Sequence, residues 1–131
     1  MTQIVELKGT EKRLYQLVAP LVMNPEVLKQ NYNYPFRTSE SFIWFVAVDG
    51  KDVVGFLPLE YRKWEVVINN YYIKDNNAEV LKALLEKAIA SIDEDKQLSS
   101  VTFIEHQNIF QELGFSVEKT WRRYVKMNKE K

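Results

Sequence analysis

The sequence contains no cysteine and a single histidine, His106. The first absence excludes disulfides, zinc–cysteine sites, iron–sulfur clusters and a cysteine nucleophile. The second excludes a multi-histidine metal centre and a relay built on two imidazoles. An excess of charge of one sign is also missing. Lys+Arg and Asp+Glu stand at 18 each, so no global field directs the chain to nucleic acid or an anionic membrane. No apolar stretch approaches the ~20 residues that span a bilayer, and Met1–Leu7 has no basic region leading into an apolar run. The simplest expectation is a soluble, cytoplasmic protein. What is present fits one globular domain over 1–131, with 46% hydrophobic and 27% charged residues.

Ile4–Leu7 is a strand candidate closed by Gly9. Thr10 is placed to cap a helix over Glu11–Val22, whose Leu14, Leu17, Val18, Leu21 and Val22 share one face. Pro20 is expected to kink or shorten it. Asn24-Pro25 starts a second helix with Asn24 as the cap, and 31–41 reads as a loop. Three strands then form an antiparallel meander: Phe42–Val48, Asp52–Tyr61 and Trp64–Ile73. Asp49-Gly50 marks the hairpin, Gly55 a bulge and Pro58 a break in the ladder. Ala78–Asp93 is the clearest helix, with Val80, Leu81, Leu84, Leu85, Ala88, Ile89 and Ile92 on one stripe and Asn76 or Asn77 as cap. Val101–Ile104 reads as a buried strand. A short helix ends at Gly114, and Phe115 with Trp121–Met127 forms the last strand before a charged tail at 128–131. The order is β-α-α-β-β-β-α-β-α-β, in which a meander joins a β-α-β unit with parallel strands. Such a sheet leaves a crevice where its strands splay.

That order, with Ala83-Leu84-Leu85-Glu86-Lys87 followed by Phe110-Gln111-Glu112-Leu113-Gly114-Phe115, resembles the GNAT superfamily of acyl-CoA N-acyltransferases. The tail Arg123–Lys129 is similar to a common last strand of that family. The resemblance covers Phe42–Lys129 by motif and 1–41 by element order. It implies an α/β (α+β) fold with a mixed, mostly antiparallel central sheet and helices on both faces. It also implies acetyl-CoA as co-substrate, transferring its acyl group directly to a small-molecule or protein amine. Tyr71, Tyr72 and Ile73 would meet the pantetheine arm, the amides of Asn77, Ala78, Glu79 and Val80 the diphosphate, and Asn108 would be a further coenzyme contact. The family's Gln/Arg-x-x-Gly-x-Gly/Ala loop is replaced by Ile73-Lys74-Asp75-Asn76-Asn77-Ala78-Glu79-Val80, which has no glycine and carries two acids.

An amine acceptor needs a base, and the departing thiolate an acid. Phe110 stands where the family commonly has a tyrosine, and reads as a core aromatic beside Phe115. Tyr124 is the preferred acid, with Tyr71 and Tyr72 as alternatives. Glu65 is the preferred base, with Glu60, Glu105 and His106 behind it. His106 reads chiefly as a helix-start or surface residue. Of Asn69-Asn70, alternation sends at least one amide toward the core or the crevice, where it needs partners. Trp121-Arg122-Arg123-Tyr124 reads as a charged edge strand, not as a nucleic-acid platform. No nucleic-acid or membrane partner is expected, and a monomer or homodimer is. The alternative reading is a GNAT-fold binding module without catalysis, exposing aromatics around Tyr32, Tyr34, Phe36 and Trp44.

Overall fold

The computed structural model describes residues 2–130; Met1 and Lys131, the end of the expected tail, lie outside them. The elements run β1 (Thr2–Lys8), α1 (Lys12–Val22), α2 (Pro25–Gln30), β2 (Phe42–Asp49), β3 (Asp52–Tyr61), β4 (Glu65–Ile68), β5 (Tyr72–Ile73), α3 (Ala78–Ser91), β6 (Gln97–Phe103), α4 (Gln107–Glu112), β7 (Phe115–Thr120) and β8 (Tyr124–Lys129). All strands join one sheet in the order β1-β2-β3-β4-β6-β8-β7, with β5 added to β3. Only β4 and β6 pair in parallel among the described strands. The sheet is thus mixed and mostly antiparallel, as the sequence implied.

Each face is covered because each helix has one apolar stripe. On one face Val80, Leu81, Leu84, Leu85 and Ala88 of α3 pack on Phe45, Ala47, Leu57, Leu59, Val66 and Ile68. On the other, Leu14 and Val18 of α1 and Val27 of α2 pack on Trp44, Val46 and Phe56. Gly55 lets α3 come close: a Cβ there would lie 3.0 Å from the Tyr72 carbonyl oxygen and 3.1 Å from Val80 Cγ1. Phe110 is a fully buried core aromatic, edge-on to Phe115 with centroids 5.1 Å apart.

Several local expectations change. Helix α1 begins at Lys12 with Glu11 at its cap position, and no side chain caps it. It runs through Pro20, which lies in its last turn. The last strand is a hairpin of β7 and β8, and β8 continues to Lys129 into the expected tail. Strand β6 starts early, at Gln97, and stops at Phe103, leaving Ile104 in a 3-10 turn. Trp44 is 1% exposed and its indole N–H donates to Thr38 Oγ1 at 2.9 Å, so it contributes nothing to an exposed aromatic patch.

The change that positions the site is the splitting of Trp64–Ile73. It breaks at Asn69–Asn70, where Asn70 takes φ 54° and the Asn69 side-chain oxygen accepts from the Asn70 amide at 2.9 Å. Strand β3 pairs with β4 at Leu59–Tyr61 and with β5 at Gly55–Phe56. Pro58, which has no amide to donate, falls between the two ladders, where none is needed.

Candidate functional site

The break opens a crevice. β4 pairs with β6 from Glu65↔Gln97 to Ile68↔Ser100. Beyond that, the chain at Tyr72–Ile73 stays with β3 while Val101–Phe103 stays with β8. The gap between Ile73 and Phe103 is where the resemblance places the pantetheine arm of a coenzyme.

Three sets of groups from this chain already occupy it. The first is Gln30, at the end of α2: its carboxamide donates to the Ile73 carbonyl at 3.0 Å and accepts from the Ile73 amide at 3.2 Å. The second is Tyr71, whose ring is buried and whose hydroxyl accepts from the Phe103 amide at 3.1 Å, spanning the gap. That hydroxyl also lies 2.8 Å from His106 Nδ1, and His106 Nε2 lies 3.0 Å from Asn76 Oδ1. The arrangement in which every donor finds an acceptor has Tyr71 O–H donating to Nδ1 and Nε2–H donating to Asn76. His106 is therefore a neutral imidazole at 2% exposure, and burial pulls its pKa down to about 4. It does sit at a helix start, but it is a buried strut and not a surface residue. Burial also holds the Tyr71 hydroxyl well above its ordinary range.

The third set closes the start of α3. Asn77 caps it as expected, its side-chain oxygen accepting from the amides of Glu79 at 3.0 Å and Val80 at 3.3 Å. These are amides the resemblance assigns to a diphosphate, and Asp75 and Glu79 add negative charge beside them. Asp75 and Asn76 both adopt positive φ, 56° and 52°. This is the left-handed backbone that a glycine loop supplies, here taken by short polar residues.

The remaining candidates divide. Tyr72 turns its side chain to the α1 face, against Phe56, and is not in the crevice. Ala78 begins α3. Asn108 is exposed on α4. Tyr124 lies at the crevice's rim, its hydroxyl 3.3 Å from Asn31 Oδ1 and its ring stacked on Phe103 at 5.3 Å. Burial, then Tyr32 and Tyr34, raise its pKa to about 12, so it stays protonated and able to donate. Glu65 accepts from Ser99 Oγ at 3.1 Å and is flanked by Arg62. Glu65 stands beside Gln97 and Tyr124 beside Phe103. Those β6 positions are roughly 20 Å apart at the usual strand rise. The structure does not bring this pair together. Glu105, which follows β6, is instead close enough to raise Tyr71 and Tyr124 electrostatically. Outside the crevice, Tyr34, Pro35, Arg37, Asn69, Asn70, Val101 and Tyr124 line an open cleft of about 400 Å³. A hollow of about 800 Å³ near Ile89, Ile92 and Leu98 lies at the other end of α3 and shares no residue with this cleft.

Sequence reasoning assigned no role to Gln30 or Asn31. Their position just after an apolar helical turn carried no chemical signal. Among the described residues no cluster of acidic or histidine side chains could hold a metal ion, and no helix is long and apolar enough to cross a membrane.

No family model matches the chain, and no curated protein matches it significantly. Solved structures do. An acyl-CoA N-acyltransferase from Pseudomonas aeruginosa superposes with a TM-score of 0.78 at 13% identity, covering 99% of this chain and 100% of its own. PaiA N-acetyltransferase from Thermoplasma acidophilum, in complex with coenzyme A, gives 0.65 at 14% identity, covering 100% and 99%. The GNAT domain of S. lividans PAT gives 0.68 at 11% identity, covering 97% and 89%. Identities this low speak to architecture alone, and on that architecture the chain has the GNAT acyl-CoA N-acyltransferase fold.

Proposed function

We propose that the chain is an acyl-CoA-dependent N-acyltransferase of GNAT type, with acetyl-CoA as donor and an amine as acceptor. The observation that carries this reading is the strand edge at Ile73. The Asn69–Asn70 break turns its amide and carbonyl into the crevice, and both are already paired with an amide, that of Gln30. An amide-bearing arm is the chemistry such an edge accepts. The neighbour from Thermoplasma acidophilum, solved with coenzyme A, supports the same use of the fold.

As it stands the crevice does not accept an acyl-CoA. Ile73 is taken by Gln30, the Glu79 and Val80 amides by Asn77, and the gap is bridged by Tyr71. Donor binding therefore depends on the chain withdrawing from its own crevice. For the acceptor side, Tyr124 with Glu105 replaces Tyr124 with Glu65 as the candidate acid and base. Isothermal calorimetry with acetyl-CoA tests the reading. Binding that saturates at millimolar donor or below is expected, and a flat titration of the folded protein refutes it. The same filled positions, together with Phe110 in the core, favour the second reading, a GNAT-fold binding module without transfer chemistry. A flat titration is its expected result.

A further inference from the structure

The segment that fills the crevice is continuous. Gln30 pairs with Ile73, and Asn31 Nδ2 donates to Asn70 Oδ1 at 2.9 Å. Tyr32 packs its ring on Phe103 at 6.1 Å and on Tyr124 at 5.7 Å, and the Arg123 guanidinium lies 4.5 Å from its centroid. Tyr34 meets Tyr124 edge-on at 6.3 Å. Within five residues the chain thus touches both walls, Asn70–Ile73 on one side and Phe103 with Tyr124 on the other.

The same segment is held against its own backbone preference. Tyr32 has φ 53° and Asn33 φ 65°, two successive non-glycine residues in the left-handed region. An aromatic residue rarely adopts that conformation unless its surroundings impose it. Here they do: the α2 terminus ends with the Asn33 amide donating back to the Leu28 carbonyl at 2.8 Å, and this turn aims Tyr32 into the crevice.

We infer that residues 30–34 are an internal pseudo-ligand, an autoinhibitory strap whose Gln30 carboxamide occupies the strand edge at Ile73 and which must leave before a donor arm can dock. The inference rests on the acyl-CoA reading of the crevice. It makes the apparent donor affinity the product of an intrinsic affinity and the fraction of molecules with the strap withdrawn. Withdrawal relaxes the turn at Tyr32 and Asn33, and it leaves Ile73 to the donor.

The test compares acetyl-CoA binding by calorimetry to the wild type, Gln30→Ala and Asn33→Ala. Gln30→Ala deletes both bonds to Ile73 and is expected to tighten binding about tenfold. Asn33 is exposed, and its side chain has no hydrogen-bond partner among the described residues. Its replacement removes no side-chain hydrogen bond and makes the closed turn harder to hold, for about a threefold gain. Hydrogen exchange of the Ile73 amide should quicken in Gln30→Ala. Equal affinities in all three proteins would overturn the strap and leave the donor site standing. No binding by any of them, with native circular dichroism and cooperative unfolding, would overturn the donor reading and the strap with it.

Discussion

The buried chain Phe103–Tyr71–His106–Asn76 makes the fold sensitive to acid in a calculable way. His106 accepts from the Tyr71 hydroxyl through Nδ1, so a proton there leaves two donors facing each other. The folded-state pKa is depressed to about 4 from the ordinary 6.5. A group depressed in this way contributes stability that is complete above the unfolded value and is lost as pH falls toward the folded one. Between pH 7 and pH 4.5 the linkage removes about 2 kcal/mol, with most of the loss below pH 6.5. Urea unfolding of the wild type and His106→Gln at both pH values isolates this loss. Glu105 and Asp75 are present in both proteins, so their contributions cancel in the comparison. The wild type should lose about 2 kcal/mol more than the variant. Parallel losses in the two proteins, or a His106 ring resonance titrating near 6.5, would refute the buried neutral imidazole.

Two further perturbations probe the elements that frame the crevice. Asn77→Ala removes the side-chain acceptor of the Glu79 and Val80 amides and should cost about 1 kcal/mol in urea unfolding; an unchanged midpoint would show that the cap contributes nothing. Gly55→Ala places a methyl 3.0 Å from the Tyr72 carbonyl oxygen and 3.1 Å from Val80 Cγ1. It should cost roughly 1–3 kcal/mol as α3 is pushed off the sheet, and a variant as stable as the wild type would mean that the helix has slack.

The sequence made the core legible because burial leaves a period. The stripe from Val80 to Ala88 and the alternating strands of the meander are where the structure has its two packed layers. Asn24 and Asn77 were readable as caps because capping is a local bond between a side chain and amides two or three residues on. The break at Asn69–Asn70 showed only as polar residues inside an apolar strand. Its consequence, an edge at Ile73 that pairs with the Gln30 side chain and not with β6, depends on β3 pairing with both halves. The strap was not legible at all, since Gln30 meets Ile73 across 43 residues of chain. The burial of His106 was not legible for a related reason: it is decided by Tyr71 and Asn76, which lie 35 and 30 residues away. Glu65 and Tyr124 were paired on residue type, and only the β6 register shows them beside opposite ends of that strand.

The asparagines tie these failures to one physical cause. A glycine-rich loop leaves its amides bare because glycine supplies positive φ and no side chain to satisfy them. Asparagine also tolerates positive φ, but it brings an amide that finds partners. At the start of α3, Asn76 takes φ 52° and accepts from His106, while Asn77 accepts from Glu79 and Val80. At the break, Asn70 takes φ 54° and accepts from Asn31. The positive-φ backbone is thereby held by residues whose hydrogen-bonding groups are turned inward. Asn70 and Asn76 each hold a positive φ and occupy neighbouring polar groups at the same time. On the acyl-CoA reading, opening the crevice requires displacing side chains, not rebuilding the backbone, so the proposal makes the state of Gln30 and Asn77 decide whether a donor binds.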